Sequence, residues 1–253
     1  MEKGLQNILE MRKYDLYGIL NGVDYDVINP ATDPQIVKNY DLETVFKDKI
    51  VNKLALPKKK WDCLKMKDVA LIGIVTRLTK QKGLDLIINQ FSEMCSRKVQ
   101  ILILGAGDQV YEDALKGIAY HHQDTVSLQL KYDFGLSCRI YAGCDMFLMP
   151  SLFEPCGLSQ MMSLRYGTIP IVRETGGLKD SVEPYDEYAD TGTGFSFANY
   201  NAHEMMKTID YALKVYDEDP EAWKGIMTRA MQAKLDWDAS ADQYLKVFNS
   251  LIG

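Results

Sequence analysis

The chain has 253 residues, enough for one large α/β domain or two small ones. Hydrophobic residues make up 47% and charged residues 25%, an ordinary balance for a globular protein, and no apolar run approaches the length of a bilayer span. A net charge of −6 disfavours a nucleic-acid partner and an anionic membrane surface.

Residues 4–17 have helical spacing in Leu5, Ile8, Leu9 and Leu16. The next stretch, YGILNGVDYDVINPATDP, is dense in Gly, Asn, Asp and Pro and reads as a long loop, a linker or hinge. Residues 35–56 look helical through Ile36, Val37, Tyr40, Val45, Ile50 and Leu54; Pro57 ends that piece, and Lys58-Lys59-Lys60 read as a solvated loop. Val69–Val75 is a continuous apolar run, the mark of a strand buried on both faces. A polar loop, 76–83, leads to an amphipathic helix carrying Leu84, Ile87, Ile88, Phe91, Met94 and Cys95. Val99–Leu104 is a second strand, followed by the turn Gly105-Ala106-Gly107-Asp108 and a helix to about His121. Val126–Leu130, Met146–Met149, Ile169–Val172 and a short Gly194–Phe197 complete six strands, with a helix over Leu136–Tyr141. Three helices close the chain: one capped by Asn201 and Glu204, one started by Asp219-Pro220, and one from about Asp238 with a wide apolar face through Tyr244, Leu245, Val247, Phe248, Leu251 and Ile252. Such a face must pack against something. The alternation of strand and helix predicts a doubly wound, mainly parallel Rossmann-like α/β sheet with right-handed crossovers.

Five cysteines, Cys63, Cys95, Cys138, Cys144 and Cys156, form no CxxC pair, and this odd, scattered set suits a reducing cytoplasm. The opening MEKGLQNILEMRKYD has no signal-peptide core. No histidine spacing suggests a metal site.

In such a sheet the loops after successive strands meet at one edge. Here they bring Arg77 and Lys82, then Gly105, Gly107 and Asp108, then Tyr132, then Glu154, then Thr175-Gly176-Gly177. Arg77 and Lys82 can neutralise phosphate, Gly turns let backbone N–H groups approach a ligand, and an aromatic ring can stack on a base. Glu154 lies in FLMPSLFEPCGLSQMMS, where a strand passes through a loop into a helix. A carboxylate there repels phosphate but accepts hydrogen bonds from sugar hydroxyls; the alternative is that it simply complements the helix N-terminus. Arg77 and Lys82 have solvated loop charge as their alternative reading, and Tyr132 has core packing. The Gly105-Ala106-Gly107 turn is half a dinucleotide fingerprint; Val110 stands at its third Gly and the turn follows the second strand, which argues against a nicotinamide enzyme. Together the groups suit a nucleotide diphosphate carrying a sugar.

GILNGVDYDVINPATD, VTRLTKQKGLDLI, LGAGD, YAGCDMFLMPSLFEPCGLSQMMSLRYGTIPIVRETGGLKDSV and GTGF resemble, in this order, the C-terminal half of bacterial glycogen synthase and plant starch synthase, the ADP-glucose-dependent α-1,4-glucan synthases. The resemblance implies a GT-B fold and three parts: 1–34 as the tail of an N-terminal domain with the interdomain hinge, 35–235 as the nucleotide-sugar-binding domain, and 236–253 as a helix crossing back to the N-terminal domain. It implies retaining transfer of glucose from ADP-glucose to the 4-OH end of an α-glucan acceptor, without metal or cofactor, in the cytoplasm or a plastid. Arg77, Lys82 and Glu154 are the implied catalytic residues, the cations holding the diphosphate and Glu154 the glucose hydroxyls. Tyr132 would stack on adenine, the backbone of Cys156, Gly157 and Leu158 would assist, Ser159 would lie near the ribose, and Thr175, Gly176 and Gly177 would contact phosphate or sugar. The chain departs from the family pattern at Leu152 and Glu174, where Arg is usual, at Ile28 for Trp, at Phe134 and Cys138, and at Met162, where related transferases carry a second Glu. The resemblance also implies an N-terminal domain, with its own donor-contacting loop and most of the glucan surface, that these 253 residues would not supply. Two alternatives stand beside the synthase reading: a non-catalytic module binding ADP or ADP-glucose, and a related GT-B transferase using UDP-glucose.

Overall fold

Largely apolar segments, rich in Ile, Val and Leu in β1, β2 and β5, form β1 (Ala70–Val75), β2 (Val99–Leu104), β3 (Val126–Gln129), β4 (Met146–Met149), β5 (Ile169–Arg173) and β6 (Phe195–Phe197). In the computed structural model, which describes residues 5–56 and 65–252, they make one sheet in the order β3-β2-β1-β4-β5-β6. Every pairing is parallel. Strands of a parallel sheet are covered on both faces, which is why β2 is buried along its whole length and Leu71, Ile72, Phe147 and Ile171 are closed off from solvent.

The helices are α1 (Gln6–Met11), α2 (Val45–Ala55), α3 (Leu84–Cys95), α4 (Gln109–His121), α5 (Phe134–Gly143), α6 (Ser159–Arg165), α7 (Gly177–Ser181), α8 (Ala202–Glu218), α9 (Pro220–Gln232) and α10 (Trp237–Ile252). Caps anticipated from the sequence form: the Asn201 side chain accepts from the His203 and Glu204 amides, and Asp219 accepts from Ala222 ahead of Pro220. Among the described residues no helix is long and apolar enough to cross a membrane.

Two expectations are corrected. The opening helix is shorter than residues 4–17; α1 is followed by one 3-10 turn, Lys13–Asp15. Residues 35–44 are turns, and α2 begins only at Val45. Side chains there capture backbone N–H groups in place of helical bonds: Asp33 takes the Gln35 amide, Asn52 takes Val37 and Lys38, and Asp41 takes Glu43 and Thr44. The apolar face of α10 stands open, with Leu245 and Phe248 55% and 54% exposed. Pro57, Lys58-Lys59-Lys60 and Cys63 lie outside the described residues.

The loop before α2 is docked on the domain. Val23 bridges to Asp236, and the Tyr25 hydroxyl donates to Ala233 O at 2.9 Å. Asp33 accepts from the Tyr166 hydroxyl, and the Tyr40 hydroxyl donates to Tyr166 O at 2.8 Å. Beneath them Lys49, itself buried, donates to the carbonyls of Tyr141, Ala142 and Tyr166 and to Thr168 Oγ1. Burial pulls its ammonium down to about 7. Nearby Lys53 pairs with Asp145 at 2.6 Å and donates to Val69 O. These groups sit at the amino ends of β1, β4 and β5.

Candidate active site

β1 and β4 are neighbours in the sheet, yet the chain leaves them towards opposite halves: β1 is followed by β2 on one side and β4 by β5 on the other. The loops beyond their carboxyl ends therefore diverge and open a crevice, the place where open α/β sheets bind ligands. A cleft of about 400 Å³ lies there. Arg77 and Thr76 come to it from the loop after β1, Gly105 from the turn after β2, Lys131 and Tyr132 from the loop after β3, and Leu158 and Ser159 from the start of α6.

Tyr132 is 91% exposed, so its ring is a surface at the cleft and not core packing. Lys131 is a cation that the sequence reading passed over; its only sequence signal is its place beside Tyr132 in the loop after a strand. It pairs with Asp133 at 2.7 Å and holds that carboxyl below its usual range. Asp133 also caps α5 through the Leu136 amide, which fixes the loop. Tyr141 also lines the cleft from a buried position, and burial raises its phenol above the usual range.

Glu154 is buried and forms an ion pair with Lys82. Its carboxylate thus meets an ammonium from the loop after β1, not the amides that open α6. Its own loop is fastened to that of Lys82: the Leu152 amide donates to Gln81 O at 2.9 Å, and Gln81 Nε2 donates to Phe153 O at 3.1 Å.

Lys82, Glu154 and the remaining predicted residues do not line the cleft itself. Gly107 donates its amide to Glu112 Oε1, and the Asp108 amide donates to Leu78 O, so this turn is bound to the β1 loop. Cys156 and Gly157 offer their carbonyls to Gln160 Nε2, and Gly157 adopts φ +73°. Thr175 accepts from the Leu178 amide. Gly176, at φ +46°, lies so close to Glu154 O that a Cβ would overlap it, and Gly177 donates to Glu154 O and Pro155 O. The Gly176-Gly177 turn thus packs directly beneath the loop that carries Glu154.

Cationic side chains and an exposed aromatic ring in this cleft, with a sheltered carboxylate on a loop at the same edge of the sheet, can hold an anion, a flat base and a hydroxylated ring. Residues 57–225 match the family model for glycosyl transferases group 1. The chain is 49% identical to glycogen synthase of Lachnospira eligens and 48% to that of Clostridium perfringens, matching 98% and 99% of its length. It covers 52% and 51% of those proteins, so it spans about half the length of these curated relatives. Among solved structures, the catalytic domain of starch synthase IV from Arabidopsis thaliana, bound to ADP and acarbose, matches with a TM-score of 0.87 and 35% identity. That match covers 98% of this chain and 51% of the other. Sucrose-phosphate synthase from Thermosynechococcus elongatus shares the fold, with a TM-score of 0.64 at 20% identity, over 92% of this chain and 52% of that one.

Proposed function

The chain belongs to the group 1 glycosyl transferases, with the sheet of a GT-B C-terminal domain, and on that premise we propose that it is the donor-binding half of a glycogen or starch synthase. The substrate is ADP-glucose and the acceptor an α-1,4-glucan. The observation that carries this reading is that Arg77, Tyr132 and Ser159 line one cleft at the carboxyl edge of the sheet, where the loops after β1 and β4 also carry the Lys82–Glu154 pair. Tyr132 stacks on the base, Arg77 and Lys82 take the diphosphate, and Glu154 accepts from glucose hydroxyls. As the glycosidic bond to the diphosphate breaks, negative charge collects on the leaving group and the sugar becomes oxocarbenium-like. Fixed cations stabilise that charge without reorganising, and a held hexose keeps its reacting carbon in line.

The glucan surface and a second donor-contacting loop come from an N-terminal domain, which the apolar strip of α10 would face. Calorimetric titration with ADP, ADP-glucose and UDP-glucose tests the binding half of the proposal; ADP-glucose is expected to bind and UDP-glucose to bind more weakly. Glucose transfer to glycogen, with a separately supplied N-terminal half, tests the catalytic half. A folded sample that binds no adenine nucleotide overturns the reading, and binding without transfer in the reconstituted pair reduces it to a binding module.

A further inference from the structure

Glu154 is held in place by groups that the catalytic reading leaves without a role. Arg173, the last residue of β5, turns its guanidinium back over the loop after β4. Nε donates to Ser151 O at 2.8 Å, Nη2 to Leu152 O at 2.6 Å and Nη1 to Ala198 O at 3.3 Å. The ring of Tyr200 lies 5.7 Å from the guanidinium carbon, within range of a cation–π contact. The Tyr200 hydroxyl in turn donates to Asp85. Asp85 lies in the first turn of α3, which begins just beyond Lys82 and Gly83. The chain of contacts therefore runs from the loop of Glu154, through Arg173 and Tyr200, to the helix behind Lys82. Gln81 closes the circuit on the other side, its carbonyl taking the Leu152 amide and its side chain the Phe153 carbonyl. The Leu152 peptide is thus gripped from both directions.

We propose that Arg173, Tyr200 and Asp85, closed by Gln81, form a bracket of positioning residues that sets Glu154 against Lys82 for hexose binding. It rests on the donor-binding reading above. A planar fork is required at residue 173, because successive carbonyls must be reached at once; an ammonium satisfies one. Without the guanidinium, the carbonyls of Ser151, which is buried, and of Leu152 lose donors, and the loop is free to shift. A displacement of about 1 Å at a reacting group costs roughly 100-fold in rate.

The test uses Arg173→Gln, Arg173→Lys and Tyr200→Phe in the whole chain, with two readouts. In hydrogen exchange without ligand, the amides of residues 150–158 should exchange about tenfold faster or more in Arg173→Gln, with the lysine and phenylalanine variants between it and the parent. In calorimetry, ADP-glucose affinity should fall about tenfold in Arg173→Gln while ADP affinity stays within about threefold, because base and phosphate contacts at Tyr132 and Arg77 persist. Unchanged exchange in Arg173→Gln overturns the bracket. Equal losses for ADP and ADP-glucose assign Arg173 a merely structural role and overturn it as well. If the parent chain binds neither ligand, the donor-binding reading falls, and exchange alone decides whether the bracket holds the loop.

Discussion

The ammonium of Lys82 and the carboxylate of Glu154 come from loops on opposite sides of the sheet's topological switch point and meet as an ion pair, with side chains only 15% and 9% exposed. Before any ligand arrives, each neutralises the other. A pyrophosphate would draw the ammonium towards itself, and hexose hydroxyls would take its place on the carboxylate. Donor binding then exchanges one charge pairing for another without leaving a sheltered charge unpaired.

Removing one member of this pair should cost more than removing both. Lys82→Met strands a sheltered carboxylate and is expected to destabilise the chain by ~3 kcal/mol. For a domain of this size that is a fall in Tm of roughly 6–12 °C. Glu154→Gln keeps an acceptor oxygen for the ammonium and should cost less, and the double variant should recover much of the Lys82→Met loss. Thermal melts of the three variants decide it. A Lys82→Met melt superimposed on the parent's would show that the pair is worth nothing in the unliganded protein.

The sheet was legible because most of its strands are short, largely apolar runs, some too short for a helix, bounded by polar loops and turn residues. The rim was legible from topology: once the strand order is doubly wound, Arg77, Tyr132 and Ser159 must reach one edge. Residues 35–44 misled because Ile36, Val37 and Tyr40 have helical spacing, yet Asp33, Asp41 and Asn52 take the amides that a helix would use. Nothing local marks Lys49 or Lys53 as buried; their acceptors, such as Thr168 and Asp145, lie far along the chain. The Gly176-Gly177 pair shows the limit of a motif read singly. Glycine signals close backbone approach, and here the approaching group is the Glu154 loop itself. Arg173 escaped notice because its acceptors are main-chain carbonyls, which no residue pattern reveals.

Stability should depend on pH through Lys49. Burial lowers its folded-state pKa from 10.5 to about 7. Between these values the unfolded chain carries a proton that the folded chain lacks, so raising the pH favours folding across that window. Below about 7 both states are charged and the contribution is flat. Lys49→Met removes this dependence. The stability of the parent relative to Lys49→Met should therefore climb from pH 7 towards pH 10, with a limiting slope of ~1.4 kcal/mol per pH unit. Urea unfolding of both proteins across this range measures it. A difference that stays level throughout would mean that the carbonyls of Tyr141, Ala142 and Tyr166, with Thr168, keep the ammonium protonated despite its burial.

Gly176 offers a separate handle on the Glu154 loop. Its φ of +46° is strained for any side chain, and a Cβ would press on Glu154 O. Gly176→Ala should destabilise the chain by more than ~1 kcal/mol and weaken ADP-glucose binding more than ADP binding. Denaturant unfolding and paired titrations check both halves. Wild-type stability with wild-type affinity would show that the turn beneath Glu154 yields without consequence.

The outer face of α10 should be indifferent to charge in the isolated chain. Leu245 and Phe248 are 55% and 54% exposed, and Leu251 and Ile252 still more so. Changing Leu245 and Phe248 together to Glu removes only the partial cover these two side chains have within the chain, so unfolding stability should stay within ~1 kcal/mol of the parent. An open apolar strip also favours self-association, which the double variant should suppress in sedimentation velocity. When the N-terminal half is supplied, the same variant should lose association and glucose transfer while its ADP affinity is unchanged, because the strip is remote from Tyr132 and Arg77 in sequence and absent from the walls of their cleft. A stability loss above ~2 kcal/mol would mean that these side chains are packed within the chain itself, and intact association with the N-terminal half would remove α10 from the contact between them.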